Sequence, residues 1–124
     1  MRREGQGTLR SRLLDACDRR CAITGEHTEI LLDAAHIQPY MGPRSNHVQN
    51  GLLLAQEFHT LFDKGYVTVT PDLRGRVSGR LAREWNNGKR CAAYHGQELR
   101  AVPGASERPA RAAIEWHAES VLVA

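Results

Sequence analysis

Two apolar stretches, Ile30–Ile37 and one opening at Leu52, are separated by Gln38–Asn50, about a dozen residues rich in Pro, Gly, Ser and Asn. A loop of that length inside a compact domain marks either a functional or a disordered segment, because it has no ladder of its own. The chain has 124 residues, which allows one domain with one modest core. Only seven of them are aromatic, so that core is expected to be largely aliphatic. The longest purely apolar run, Leu52–Ala55, is far shorter than the ~20 residues a membrane helix needs. No charged-then-apolar leader opens the chain, and three cysteines are too few, and odd in number, for a disulfide framework. A cytoplasmic protein that does not enter a membrane is expected.

The elements around the loop follow from periodicity. Leu9, Leu13, Ala16 and Cys17 fall on one helical face, which predicts a helix from an N-cap at Thr8 to about Asp18. Cys21–Gly25 reads as a turn, and Ile30–Ile37 as a strand ending before Pro39. Leu54, Phe58, Leu61 and Phe62 predict a helix over about Leu52–Asp63, with Gly65 as its C-terminal cap. Tyr66–Ser78 reads as a hairpin turning at Pro71–Gly75. Leu81–Tyr94 suits one or two short helical turns, and Glu98–Val102 a short extended piece. Pro109 leads into a last helix with Ile114, Ala118 and Val121 on one face. Such a mixture, without a βαβ repeat, predicts a small α+β domain.

Charge is unevenly distributed. Residues 1–20 carry a net +3, residues 21–73 carry −4 and residues 74–111 carry +6. An acidic, histidine-bearing centre between basic flanks suits a cation site beside bound phosphates. A solvated, arginine-rich surface would look the same.

Chemistry concentrates in three motifs: Asp33-Ala34-Ala35-His36-Ile37, Asn50-Gly51-Leu52-Leu53-Leu54 and His59-Thr60-Leu61-Phe62-Asp63-Lys64-Gly65. Taken singly, each has a structural explanation. A histidine on an apolar strand is a satisfied core residue, Asn50 before Gly51 is a turn residue, and His59 with Asp63 is a helix-surface pair. Together, with His36, Asn50 and His59 spaced by 14 and 9 residues, they form a pattern. At these motifs the sequence resembles the HNH (ββα-metal) endonucleases, and among them the nuclease modules of modification-dependent restriction enzymes. Gly5-Gln6, Cys21-Ala22-Ile23-Thr24-Gly25 and the run from Ala34 through Pro39-Tyr40 add to the likeness, which is strong over residues 5–70. It extends more weakly to the end through Tyr94-His95-Gly96, Pro103 and Trp116-His117. The resemblance implies one HNH nuclease domain over residues 1–124, with a core over about 8–80 and a C-terminal extension over 81–124.

Phosphodiester hydrolysis needs an activated water and something to offset developing negative charge. A neutral imidazole with a pKa of about 6.5 can take the water's proton at neutral pH. His36 is the candidate base. The resemblance makes His59 a ligand of one divalent metal ion, and Asn50 the residue that bonds across the loop and orients His36. Mg²⁺ or Mn²⁺ leads among the metals, with Co²⁺, Ni²⁺ or Zn²⁺ as alternatives. HNH sites commonly carry Asp or His immediately before the base, and here that position is Ala35, which cannot ligate. Asp63, one helical turn after His59, and Asp33, two residues before Ala35, are the candidate replacements. Asp63 is the preferred ligand and Asp33 can act from behind the ligands.

Many HNH modules hold a structural zinc through two Cys-x-x-Cys pairs. Thr24 stands where the second cysteine of the first pair would be, and no second pair exists, so no structural zinc is expected. Cys17 and Cys21 read as small buried hydrophobes. His27, His47, His95 and His117 read as surface or structural, with His47 the one in reach of DNA. Tyr40, Arg44 and Lys64 are candidate DNA contacts, and Arg74, Arg76, Arg80, Arg83, Lys89 and Arg90 could extend the track. No base-reading helix is evident, so specificity is expected to come from a recognition domain, from a second subunit or from nowhere, and a homodimer would suit double-strand cutting. Two further readings use the same residues: a catalytically silent DNA-binding module that lost its ligand at Ala35, and a toxin-like effector nuclease.

Overall fold

The strand β1 (Leu32–His36) pairs antiparallel with β2 (Gly51–Ala55), so that Leu32 faces Ala55 and His36 faces Gly51. The computed structural model describes residues 6–39 and 46–123, and only the backbone of residues 6, 7 and 86–89. Leu52–Ala55 is therefore a strand and not the first turn of a helix, as its apolar pattern had suggested. A four-residue apolar run carries no period, and strand and helix are then decided by what covers it. Here Gly51, Leu52, Leu53 and Leu54 are all buried, which requires cover on both faces of the hairpin. The helix α1 (Gln6–Ala16) and the helix α2 (Gln56–Asp63) both pack against it.

Helix α1 begins two residues before Thr8, which is thus an exposed residue inside the helix and not its N-cap. It buries Leu9, Leu13, Leu14 and the following Cys17, while Ala16 is only half-buried. The helix lies so close to β2 that a Cβ on Gly51 would sit 2.8 Å from Leu13 Cδ1. The first strand is shorter than predicted because Glu29–Leu31 forms a 3-10 turn, leaving Ile30 exposed. Helix α2 buries Phe58 and Phe62 and starts only at Gln56, so Leu54 reaches the core from the strand.

A second hairpin joins β3 (Val67–Val69) to β4 (Gly75–Val77), inside the predicted Tyr66–Ser78. Ser78 caps α3 (Gly79–Glu84), its Oγ accepting from the Arg80 N–H, and a 3-10 stretch over Asn86–Tyr94 follows. Leu99 and Arg100 are tied back to the loops before them, their N–H groups donating to the carbonyls of Leu73 and Ala22. The last helix, α4 (Arg111–Ser120), packs on β3. Its buried face is Ala113, Ile114 and His117, with Ala118 and Val121 only half-buried, so the predicted stripe is rotated. Leu81, Cys91, Leu99, Ala101, Ala113 and Ile114 from residues 81–124 join the same apolar cluster as the two helices around β1 and β2. Cys17, Cys21 and Cys91 are free and buried, and burial pushes the Cys17 thiol up to about 11, where it stays protonated.

His117 is 2% exposed and was expected to be merely surface or structural; it is a core residue that joins three elements. Its Nε2–H donates to the Phe62 carbonyl at 2.9 Å, and its Nδ1 pairs with Thr68 Oγ1 at 2.8 Å. The ring also stacks on Phe62, with centroids 3.7 Å apart. Burial lowers its pKa, so the ring is neutral, with Nδ1 accepting the Thr68 hydroxyl. The same two helix ends meet again at Gly65. Its φ of +84° ends α2, and its carbonyl accepts from Val123 N–H at 2.8 Å.

A Cβ at Gly65 would lie 2.1 Å from the Val121 carbonyl oxygen, whereas one at Gly96, with a similar φ of +78°, would meet nothing within 4 Å. Gly96→Ala is expected to cost about 1–2 kcal/mol for the left-handed backbone alone. Gly65→Ala adds a backbone collision and is expected to cost about 2–4 kcal/mol. Urea midpoints of the two variants check this, and equal losses would remove the collision from the account.

Candidate active site

The end of β1, the residues leading into β2 and the helix α2 deliver the candidate residues to one place. His36 is the last residue of β1, and the backbone just beyond it is clamped by Asn50. Ile37 N–H donates to the Asn50 carbonyl at 2.9 Å, and Gln38 N–H donates to Asn50 Oδ1 at 2.9 Å. Asn50 Nδ2 returns a bond to the Gln38 carbonyl at 3.2 Å. Three bonds thus hold the chain on both sides of the loop at the His36 end. Asn46, which the sequence reading did not single out, lies 2.8 Å from His36 Nε2 through its Oδ1. An amide oxygen only accepts, so this contact puts a proton on Nε2 and leaves the lone pair of the neutral ring on Nδ1. The loop residue His47 caps the 3-10 turn over Val48–Asn50, its Nδ1 accepting from Gln49 N–H at 3.2 Å.

His59 is bracketed by carboxylates. Its Nδ1 lies 2.9 Å from Asp33 Oδ2 and its Nε2 lies 3.2 Å from Asp63 Oδ2. The Asp63 hydrogen bond is the largest influence on the ring, and with Asp33 it outweighs partial burial and raises the pKa to about 9. Asp33 comes from β1 and Asp63 from α2, so this cluster also binds strand to helix. His36, His59 and Asp63 line one cleft of about 300 Å³, with Ile37, Pro39, Trp116, His117 and Val121 as its other walls. Three of these walls, Trp116, His117 and Val121, lie outside the motifs. Only the weak Trp116-His117 likeness pointed to two of them.

Carboxylate suits Mg²⁺ and Mn²⁺ and imidazole suits Ni²⁺ and Zn²⁺, so the mixed set fits a divalent ion without choosing among them. The positions of the donors are more selective. Asp33 and Asp63 meet opposite nitrogens of His59, and among the described residues no group of three or more His, Cys, Asp and Glu surrounds a single point. Asp63, His59 Nε2 and the cleft lie on one side, with Asp33 behind the ring. A carboxylate on the far nitrogen is a recurrent way to fix the tautomer and orientation of a metal-binding histidine. Ala35, in the core and 0% exposed, faces Leu52 across the hairpin and adds nothing to the cleft.

The predicted DNA contacts separate into groups. Tyr40 and Arg44 lie outside the described residues, as does the Lys89 side chain. Lys64 is exposed next to Asp63. Within the proposed track, Arg74 pairs with Asp72 and Glu98, Arg80 with Glu84, and Arg90 with Glu57. These three are partly neutralised. Arg83 is exposed and acts on the Glu84 carboxylate, while Arg76 is exposed with no ion pair among the described residues and borders a depression with Ser78, His95, Leu122 and Val123. Val121 lines the cleft, and the next two residues of the tail, Leu122 and Val123, line that depression.

Comparison with known families now bears on this arrangement. The family model described as HNH endonuclease matches residues 21–70, from Cys21 to the end of β3. Residues 21–70 are thus similar to the HNH endonucleases. The fold is similar to a solved structure named as a modification dependent TagI restriction endonuclease, with a TM-score of 0.61 and 21% sequence identity. That match covers 86% of this chain and 34% of the other, so the chain spans about a third of that enzyme's length. Comparison with the curated proteins finds no match. The matched segment contains His36, Asn50, His59, Asp33 and Asp63, whereas Trp116 and His117 lie beyond it. Among the described residues no helix is long and apolar enough to cross a membrane.

The raised His59 pKa has a consequence for stability. Below its unfolded value of about 6.5 the ring is charged in both states, and its ion pairs contribute fully. As pH rises toward about 9 the folded ring loses its proton and that contribution disappears. His117 works in the other direction, weakening the fold only as pH falls below about 6.5, because burial disfavours its charged form. In EDTA, the urea midpoint is expected to fall between pH 6.5 and 9, and Asp63→Asn is expected to flatten that fall. Parallel profiles for the two proteins would contradict the assignment.

Proposed function

We propose that this chain is the nuclease part of a restriction-related, divalent-metal-dependent endonuclease that hydrolyses DNA in the cytoplasm. The observation that carries the reading is the convergence of His36, His59 and Asp63 on one cleft from separate elements. Their HNH-family context supports it. His36 is the base: Asn46 keeps the proton on Nε2, and Nδ1 takes the proton of the attacking water. Asn50 keeps the His36 end of the hairpin in place through its bonds to Ile37 and Gln38. His59 Nε2 and Asp63 would hold the ion once it displaces the proton that Nε2 carries below about pH 9, and Asp33, which accepts the His59 Nδ1 proton, leaves Nε2 as the nitrogen a metal would take. A bound divalent cation supplies Lewis-acid stabilisation of the scissile phosphate and the leaving 3′-oxygen. Hydroxide adds to phosphorus, the P–O3′ bond breaks, and the leaving oxygen takes a proton from solvent.

Lys64 and Arg76 are the cations we assign to the DNA backbone, with Tyr40 and Arg44 as further contacts from the loop. Backbone contacts position a duplex without reading its sequence. Target choice, including any base modification, is therefore assigned to a recognition domain or second subunit, and a homodimer to double-strand cutting. Residues 81–124 form part of the same domain in this reading. A second reading, the catalytically silent DNA-binding module, is favoured by one observation: Ala35 stands where a ligand is expected, and no described group of three surrounds a metal position.

Supercoiled plasmid incubated with Mg²⁺, Mn²⁺, Co²⁺, Ni²⁺ or EDTA separates the two. Metal-dependent nicking is expected, with His36→Ala reducing the rate about 10²–10⁴-fold. Asp63→Asn is expected to raise the metal concentration needed for half-maximal rate more than Asp33→Asn does. A protein that shifts DNA in a gel yet stays inert with every metal, on modified and unmodified DNA, would be the silent module.

A further inference from the structure

The residue of the cleft that the motif chemistry leaves unused is Trp116. It is half-buried, it lines the cleft with His36, His59 and Asp63, and its indole N–H has no hydrogen-bond partner among the described residues. A half-buried indole on the wall of a cleft, with its N–H open, can contact whatever enters the cleft. Its backbone is unusually well anchored. His117, the next residue, is bonded to Phe62 and Thr68 and stacked on Phe62, while Val121 and Val123 close on Gly65 one turn later. The helix face that buries His117 thus presents Trp116 at the cleft rim, with little ordering left for a ligand to impose.

We propose that Trp116 is a stacking surface for a nucleobase next to the scissile phosphate, unstacked from its neighbours in the DNA; the proposal rests on the nuclease reading above. The cleft is at the small end of ligand sites, of a size for a base or nucleoside. A base within a duplex hides both ring faces in the stack, so only a displaced or single-stranded one can reach an indole face. Base–aromatic stacking is tolerant of sequence, which fits a site without a base-reading element. Trp116 is a contact residue in this account and takes no part in proton transfer.

The chain has two tryptophans, and Trp85 is 59% exposed, so Trp85→Phe leaves Trp116 as the sole reporter. The Trp85→Phe protein is titrated in EDTA with a fluorescently labelled short single-stranded DNA, following oligonucleotide anisotropy and tryptophan emission in parallel. Plasmid nicking with metal is measured on the same preparations. Stacking predicts quenching of Trp116 that tracks the anisotropy. It also predicts about tenfold weaker binding in Trp116→Leu, with Trp116→Phe close to the parent protein. Thermal unfolding of all three separates lost stacking from lost fold, and the Trp116→Phe protein keeps the test valid if the leucine variant unfolds. If DNA binds and plasmid is cut while Trp116 emission stays unmoved and the folded variants bind equally, the proposal is overturned and the nuclease stands. If no DNA is bound and none is cut with any metal, the nuclease reading fails and takes this proposal with it.

Discussion

The antiparallel pairing of Leu32–His36 with Gly51–Ala55, covered on both sides by helices, is the constraint from which the site follows. Burying four consecutive residues of β2 leaves the strand no exposed face, so a register slip would push apolar side chains into the other helix instead of into water. With the register set, His36 ends opposite Gly51, and Gly51 has no Cβ because Leu13 occupies that space. The strand then runs directly into α2, whose Phe58 and Phe62 face the core. His59 follows Phe58 on the adjoining face and is turned toward Asp33 of β1. Placement of the candidate base and of the bracketed histidine is therefore one packing event and not two.

The C-terminal helix completes the cleft through a contact of a different kind. A buried histidine usually costs stability unless both nitrogens are satisfied, and His117 has both partners along with a stacked phenyl ring. Such a fully bonded group ties α4 to α2 and β3, elements far apart in sequence. It also fixes the stretch of chain that carries Trp116 and Val121 to the cleft wall. The charged surface is organised more loosely. Arg74, Arg80 and Arg90 pair with local acids, exposed pairs of the sort that contribute little, while Arg76 and Lys64 remain available for an anionic partner.

Much of the fold was legible in local pattern. Helices α1 and α4, the hairpin over β3 and β4 and the glycine after α2 each carry a signal within a few residues of themselves: a 3.6-residue stripe, an alternation, a position that needs positive φ. Leu52–Ala55 was misread as helix because its pattern extends smoothly into that of Phe58 and Phe62, and a four-residue run has no period of its own. The basic segment looked like a continuous track because charge counts along the chain do not show which arginines have acids beside them. Asn46 was passed over as one more polar loop residue. Its contact with His36 exists only because the loop folds back along the strand end, a path that no local pattern encodes.

What the sequence determined by itself was the set of reactive groups and their order. Histidine, asparagine and histidine at those intervals state which chemistry is available, because a side chain's acidity and donor atoms belong to the residue type. It favoured Asp63 as the ligand, one helical turn from His59, but could not show which carboxylate meets which nitrogen of the ring. That was decided by tertiary structure. The hairpin brings Asp33 behind the ring and the helix brings Asp63 to its front, and the assignment depends on the angle between strand and helix set by the packing of Phe58 and Phe62. The same holds for Trp116 and His117. Their distance along the chain from His59 conceals their place in the cleft, which follows from burying one face of α4 against β3.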